Sequence, residues 1–95
     1  MVKTDAIAGI VDDQFRFHYD IAADVLYIRL LSAEDTATYG DVTDEGDILL
    51  RDEQTDYAVG LTVVSWWKRY GAGSLPDSIR EIQKRIEPFT TKMAA

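Results

Sequence analysis

Two carboxylates near the start of the chain, those of Asp20 and Asp24, have a spacing that suits acid–base chemistry. Two carboxyl groups about 5 to 10 Å apart can cleave a glycosidic bond when one of them is protonated and the other is charged. Arg29 follows closely and could stabilise an anion. Aspartates that flank a short turn more commonly accept hydrogen bonds from its backbone amides. The sequence therefore permits a small hydrolase but favours a structural role for both aspartates, and we assign no catalytic residue.

The other arrangements that could carry chemistry are incomplete. Four acidic side chains crowd one segment, as in a calcium loop: Asp41, Asp44, Glu45 and Asp47. An EF-hand needs a glutamate at its twelfth position, and counting from Asp41 that position holds Asp52. His18 is the only histidine and the chain has no cysteine, which excludes a Cys-based zinc site and a two-histidine site within one chain. We therefore expect no metal and no cofactor.

Charge is distributed unevenly along the 95 residues, whose net charge is −7. Residues 1–65 hold four basic and fourteen acidic side chains, whereas residues 66–95 hold six basic and three acidic ones. An acidic body repels phosphate backbones, so nucleic-acid binding is not favoured. No uncharged stretch is long enough to predict a membrane span. The absence of cysteine fits a reducing compartment, and we expect a cytoplasmic protein.

Alternation of apolar and polar residues predicts an antiparallel meander of five strands within residues 15–66. The predicted strands cover residues 15–19, 26–30, 36–42, 48–51 and 57–66. Leu26, Ile28 and Leu30 share one face and are predicted core residues. Gly46 is expected to supply a positive φ in the turn before the fourth strand. Residues 1–14 lack periodicity and are predicted to form a flexible arm.

A helix is predicted over residues 74–87, after the Gly71-Ala72-Gly73 linker. Ser74 has the position of an N-cap, and Pro88 is expected to end the helix. Its apolar side chains fall on one narrow stripe: Leu75, Ile79, Ile82 and Ile86. A helix this short is marginal in water, so it must pack against the sheet. Residues 15–95 are thus predicted to form a single α+β domain.

Residues 19–30, which read Tyr-Asp-Ile-Ala-Ala-Asp-Val-Leu-Tyr-Ile-Arg-Leu, resemble the small bacterial proteins catalogued as domain of unknown function 2283. The resemblance continues through residues 44–49 and 59–61 and covers roughly residues 15–65. It implies a small meander sheet and no particular reaction. It also implies importance for nine motif residues: Tyr19, Asp20, Asp24, Leu26, Tyr27, Ile28, Arg29, Gly46 and Gly60.

Two departures from the family pattern restrict what the resemblance implies. Residues 61–63 read Leu-Thr-Val, whereas the corresponding segment of the family usually looks like Ile-Glu-Ile. The exposed glutamate of the family pattern is therefore missing from this chain. The turn before Tyr57 ends in Thr55-Asp56 where the family usually carries a glycine. The resemblance further implies an antitoxin-like association with a small basic protein.

Residues 66–70, Trp-Trp-Lys-Arg-Tyr, combine aromatic rings with cations and fit three interpretations: a subunit interface, a monomer core or a nucleic-acid site. The leading hypothesis is a non-enzymatic interaction module that forms a homodimer. Its predicted interface residues are Trp66, Trp67, Tyr70, Tyr27, Tyr57 and Val64. The nucleic-acid alternative would use Lys68, Arg69, Arg80, Lys84 and Arg85.

Overall fold

The computed structural model describes residues 6–94, and this part of the chain has the predicted α+β architecture. The described residues form six strands, a short 3-10 helix and two α-helices. The strands are β1 (Ala6–Val11), β2 (Phe15–Asp20), β3 (Val25–Leu30), β4 (Thr38–Val42), β5 (Ile48–Asp52) and β6 (Ala58–Val64). The helices are the 3-10 helix (Leu31–Ala33), α1 (Trp66–Tyr70) and α2 (Ile79–Ala94). Neither α-helix is long and apolar enough to cross a membrane.

The six strands form one antiparallel sheet in the order β1-β2-β3-β6-β5-β4. Strands β1 to β3 make one meander and strands β4 to β6 make another. The two meanders join where β3 pairs with β6, with Ile28 opposite Leu61. The five strands predicted within residues 15–66 are therefore present, but they do not form one continuous meander, because β3 pairs with β6 rather than with β4. Strands β3 and β6 are the central strands of the sheet.

Strand β1 is the one strand among the described residues that the sequence did not predict. It lies in the segment predicted to be a flexible arm, and for residues 6–11 that prediction is wrong. Strand β1 pairs with β2 from Ala6 opposite Asp20 to Val11 opposite Phe15. The chain reverses because Asp12 and Asp13 both adopt a positive φ, of 54° and 55°. Two such residues in succession match the twist of a hairpin. Residues 1–5 of the predicted arm lie outside the described residues.

Helix α2 contacts β1 and β6, and the core lies between this helix and one face of the sheet. Leu26 and Ile28 are buried there as predicted, and Leu30 is half-buried beside them. The helix contributes Ile82, Ile86, Phe89 and Met93. Complete burial of such side chains contributes about 1.5–3 kcal/mol each to folding, which explains why so short a helix is ordered.

The bounds of α2 differ from the predicted helix at both ends. The helix begins at Ile79 rather than at Ser74, and the amide of Ile82 donates to the carbonyl of Ser78. It also continues through Pro88. A proline inside a helix removes one backbone hydrogen bond. Burial of Phe89 and Met93 beyond the proline offsets that cost, so the helix runs on to Ala94.

We predict that Val11→Ala lowers the free energy of unfolding by about 1–2.5 kcal/mol, because Val11 is only 3% exposed in the core. The matched control is Ile79→Ala at the start of α2, where the side chain is 46% exposed and the expected change is about 0.5 kcal/mol or less. Urea unfolding followed by tryptophan fluorescence measures both. Equal, small effects for the two variants would indicate that residues 6–11 do not form a strand of the stable sheet.

Candidate functional site

The carboxylate of Asp24 binds donors from two distant parts of the chain. Its Oδ1 accepts hydrogen bonds from the Tyr19 hydroxyl at 2.6 Å and from the Trp67 amide at 2.8 Å. Its Oδ2 accepts one from the Lys68 amide at 3.0 Å. The carbonyl of Asp24 also accepts from the Trp66 amide at 3.1 Å. One aspartate therefore ties the β2–β3 turn to the first turn of α1.

These bonds determine the protonation of the two side chains. Burial acts to raise the pKa of Asp24, but the hydrogen bonds from Tyr19, Trp67 and Lys68 outweigh it and hold that pKa below its usual value. Burial, reinforced by the bond to Asp24, raises the pKa of the Tyr19 hydroxyl. Asp24 is thus a charged acceptor and Tyr19 a neutral donor at neutral pH.

Asp20 and Asp24 do not form the acid–base pair that a hydrolase needs. Asp20 accepts a hydrogen bond from the Ala23 amide at 3.2 Å, as predicted for an aspartate at the start of a turn. A general acid at neutral pH needs a raised pKa, whereas that of Asp24 is lowered. Both carboxylate oxygens of Asp24 also accept hydrogen bonds from donors within the chain. The geometry supports structural roles for both carboxylates.

Arg29 holds the connection between β3 and β4. Its Nε donates to the carbonyl of Ala33 at 3.1 Å, and its Nη2 donates to that of Thr36 at 2.7 Å. Gly60 lies opposite Arg29 in the sheet. A Cβ at Gly60 would lie 3.0 Å from the carbonyl oxygen of Ile28 and 3.2 Å from Cδ of Arg29. Glycine therefore lets the arginine side chain lie close against β6, which explains two residues of the motif together.

Asp47, which the sequence placed in an acidic loop, is fully buried. Its Oδ1 accepts a hydrogen bond from Nη1 of Arg69 at 2.7 Å. Arg69 also donates to the carbonyls of Val64 and Glu45, at 3.0 and 2.6 Å. The preceding Gly46 has a φ of 90°, as predicted for this turn. Asp47 and Arg69 thus clamp the β4–β5 turn to α1, so Asp47 is unavailable to a metal or a partner.

The two tryptophans lie inside or against the core. Trp66 is 1% exposed and packs edge-on against Tyr19, with 4.9 Å between the ring centroids, so its assignment to an interface is wrong. Trp67 is half-buried, and its Nε1 donates to the carbonyl of Gly73 at 2.8 Å. The Arg85 guanidinium lies 5.5 Å from the Trp67 ring. Neither ring is placed to stack on a single-stranded nucleic acid.

Four of the exposed acidic side chains lie in the two turns that flank β5. Asp44 and Glu45 lie in the β4–β5 turn, whereas Glu53 and Asp56 lie in the β5–β6 turn at the other end of β5. Among residues 6–94, no group of three His, Asp or Glu side chains is placed to hold a metal ion. The acidic side chains of these two turns therefore do not form one compact cluster.

The face of the sheet opposite α2 carries a stripe of side chains that crosses four strands. The stripe follows the register from Tyr27 to Thr62, Ile48 and Val42. Tyr27 is 45% exposed, and Val64, one row further along, is 42% exposed. We call this surface the open face. Of the predicted interface residues, Tyr27 and Val64 lie on it.

The remaining predicted interface residues lie elsewhere. Tyr57 is exposed in the β5–β6 turn, outside the strands. Tyr70 ends α1, and its ring packs edge-on against Phe89. Sequence reasoning missed Ile48 and Val42 because only the register of the folded sheet places them beside Tyr27.

Comparisons with protein-family models, with curated proteins and with solved structures each return no match. The resemblance to domain of unknown function 2283 therefore stays a prediction. The roles of the nine motif residues rest on the contacts described above.

We predict that Asp24→Asn lowers the free energy of unfolding by about 2 kcal/mol, because asparagine offers one oxygen and one NH2 group to three donors. Asp13→Asn is the matched control: the side chain is exposed, and asparagine tolerates a φ of 55°. Urea unfolding at pH 7 measures both. A loss no larger for Asp24→Asn than for the control would remove Asp24 as the anchor of α1.

We also predict a specific pH dependence. Because the folded-state pKa of Asp24 is lowered, its contribution to stability is present above the unfolded value of about 3.9 and is lost as the pH falls through the folded value. The difference in unfolding free energy between the wild type and Asp24→Asn should stay constant from about pH 7 to pH 5 and shrink below about pH 4. Chemical unfolding at each pH measures it. A difference that grows on acidification would contradict the assignment.

Proposed function

We propose that this protein is a non-enzymatic protein-interaction module that forms a homodimer through the open face of its sheet. The observation that carries the proposal is the stripe of apolar and aromatic side chains on that face. A sheet stabilises a domain by burying its apolar side chains against another layer. Helix α2 supplies that layer on one face only, and a second copy would supply it on the other.

The apolar part of the open face supports a protein partner. Ile10, Tyr27, Val42 and Val64 are exposed on it, and Val25, Ile48 and Leu50 are half-buried. Contiguous exposed apolar side chains on a soluble domain mark interaction surfaces. The stripe itself contains no charged residue, so little desolvation of charge opposes its burial.

The distribution of charge is compatible with a second copy on this surface. The net charge of −7 opposes self-association in general, but the carboxylates lie outside the stripe. Two sheets can pack face to face about 10 Å apart with their side chains interdigitating. A two-fold axis through the stripe would bury the same side chains on both copies and close the assembly at a dimer.

A small basic protein is the second partner that we propose. Its support is the net charge together with the exposed Asp44 and Glu45 at the β4–β5 turn. Such charges act mainly by accelerating encounter and lose their effect as salt screens them. They supply less binding energy than burial of the stripe, so self-association ranks first.

We predict that the wild type sediments at about twice the 10.7 kDa of one chain, and that Tyr27→Thr raises the dimer dissociation constant about tenfold or more. Threonine keeps a high strand propensity, so the fold should persist while the ring is lost. The matched control is Tyr57→Thr, in a turn where the side chain is 75% exposed. Sedimentation equilibrium measures the mass of each protein, and circular dichroism checks the fold.

Two results would overturn the proposal. One is a wild type that sediments as a monomer at protein concentrations up to about 1 mM. A dimer with a dissociation constant above about 1 mM would be too weak to act as the functional form. The other is a dimer that Tyr57→Thr weakens as much as Tyr27→Thr does. In that case the contact would lie at the end of the sheet rather than on the open face.

A further inference from the structure

A depression of about 480 Å³, open to solvent, lies at one end of the open face, and we call it the cavity. Its volume is within the range of small-molecule sites. Leu50, Thr62 and the Tyr27 ring line it on the sheet. Arg16 and Arg29 contribute cations, and Glu34 and Asp35 in the β3–β4 connection contribute carboxylates. The cavity thus combines an apolar surface with charges of both signs.

The positions of the two arginines bring like charges together, which by itself destabilises the sheet. Arg16 on β2 and Arg29 on β3 are directly opposite each other in the register. Like charges at directly opposed positions of a sheet destabilise it. The ion pair of Arg16 with Glu34 relieves part of this repulsion, whereas within residues 6–94 Arg29 donates hydrogen bonds only to neutral carbonyl oxygens. An anion held between the two guanidinium groups would offset their repulsion.

Both guanidinium groups retain donors for such an anion. Arginine has five N–H donors in a planar fork that suits a carboxylate. Arg29 uses Nε and Nη2, and Arg16 uses Nε. Within residues 6–94, Nη1 of Arg29 and both Nη atoms of Arg16 make no hydrogen bond.

The acidic side of the cavity selects among anions. Glu34 is occupied by Arg16, but Asp35 is exposed and would repel a ligand that carries negative charge alone. A ligand that also carries an ammonium group turns this repulsion into attraction. Leu50, Tyr27 and the methyl group of Thr62 offer apolar surface to the rest of the molecule.

We propose that this cavity is a binding site for a free α-amino acid with an apolar side chain. The carboxylate binds between Arg16 and Arg29, the ammonium group faces Asp35, and the side chain lies on Leu50 and Thr62. One chain supplies every contact. Tyr27 and Thr62 also belong to the stripe through which we propose a homodimer, so a bound amino acid and a second copy of the chain would compete for these side chains.

Three probes that share one ring separate the contributions of the two charges. L-phenylalanine carries both charges, 3-phenylpropionate carries the carboxylate alone, and phenethylamine carries the ammonium group alone. Each is titrated at pH 7 into ¹⁵N-labelled protein, and amide chemical shifts are followed by NMR. We expect L-phenylalanine to give saturable shifts around Arg16, Arg29, Leu50 and Thr62, and each singly charged probe to bind about tenfold more weakly or worse.

Two variants assign the charges to residues. Arg16→Gln should weaken L-phenylalanine and 3-phenylpropionate about fivefold or more and leave phenethylamine unchanged, while Asp35→Asn should weaken L-phenylalanine and leave 3-phenylpropionate unchanged or tighter. The matched control is Arg80→Gln on α2, an exposed arginine outside the cavity, which should alter nothing.

Several results would overturn the proposal. They are the absence of saturation by L-phenylalanine up to about 10 mM, equal binding of 3-phenylpropionate, or unchanged affinity in both cavity variants. Shifts that cluster at α2 instead of at the open face would do the same.

Discussion

The rest of the structure depends on the carboxylate of Asp24. It is the acceptor that fixes where the chain goes after the last strand, because the amides of Trp67 and Lys68 at the start of α1 both bind it. Ser65 turns the backbone between β6 and α1 through a positive φ of 54°. A helix of five residues is unstable alone, so α1 depends on this anchor together with the burial of Trp66 and the pairing of Arg69 with Asp47.

Two further contacts follow from the position of α1. Trp66 enters the core beside Tyr19, so the residue that binds Asp24 through its hydroxyl also packs against the helix through its ring. Arg69, one turn later, reaches the buried Asp47. A buried carboxylate is costly unless a cation pairs with it. Placement of the helix by Asp24 therefore determines whether Asp47 can be buried at all.

The alternation of apolar and polar residues along the sequence predicted those strands whose burial on one face imposes that alternation. Alternation located β2, β3 and β6 and the core set around Ile28, since burial of one sheet face imposes a period of two. It failed at β1, whose small residues in Ala6–Val11 give little contrast between faces. Asp12-Asp13 was the available signal for that hairpin, although the more common sequences place glycine in such turns.

Pattern could not predict contacts made between distant segments. Asp24 and Trp67 are 43 positions apart, and Asp47 and Arg69 are 22 apart. No periodicity relates such pairs, so the sequence indicated the aspartates only as turn caps and left open which of the two tryptophans is buried and which is exposed. The motif itself was predicted as structural, and the contacts of Asp24, Arg29 and Gly60 agree with that prediction.

Most hydrogen-bonding groups of the motif residues bind other parts of the same chain, which limits the surfaces that are free to bind a ligand or a partner. The carboxylate oxygens of Asp24 accept hydrogen bonds from within the chain. Arg29 donates two hydrogen bonds to the β3–β4 connection, and Gly60 leaves space for the side chain of that arginine. What these residues leave exposed lies on one side of the sheet: the Tyr27 ring, the outer edge of Arg29 and the apolar stripe beside them. A motif that stabilises one face of a sheet while shaping the other would let one set of residues serve both the fold and the recognition that we propose.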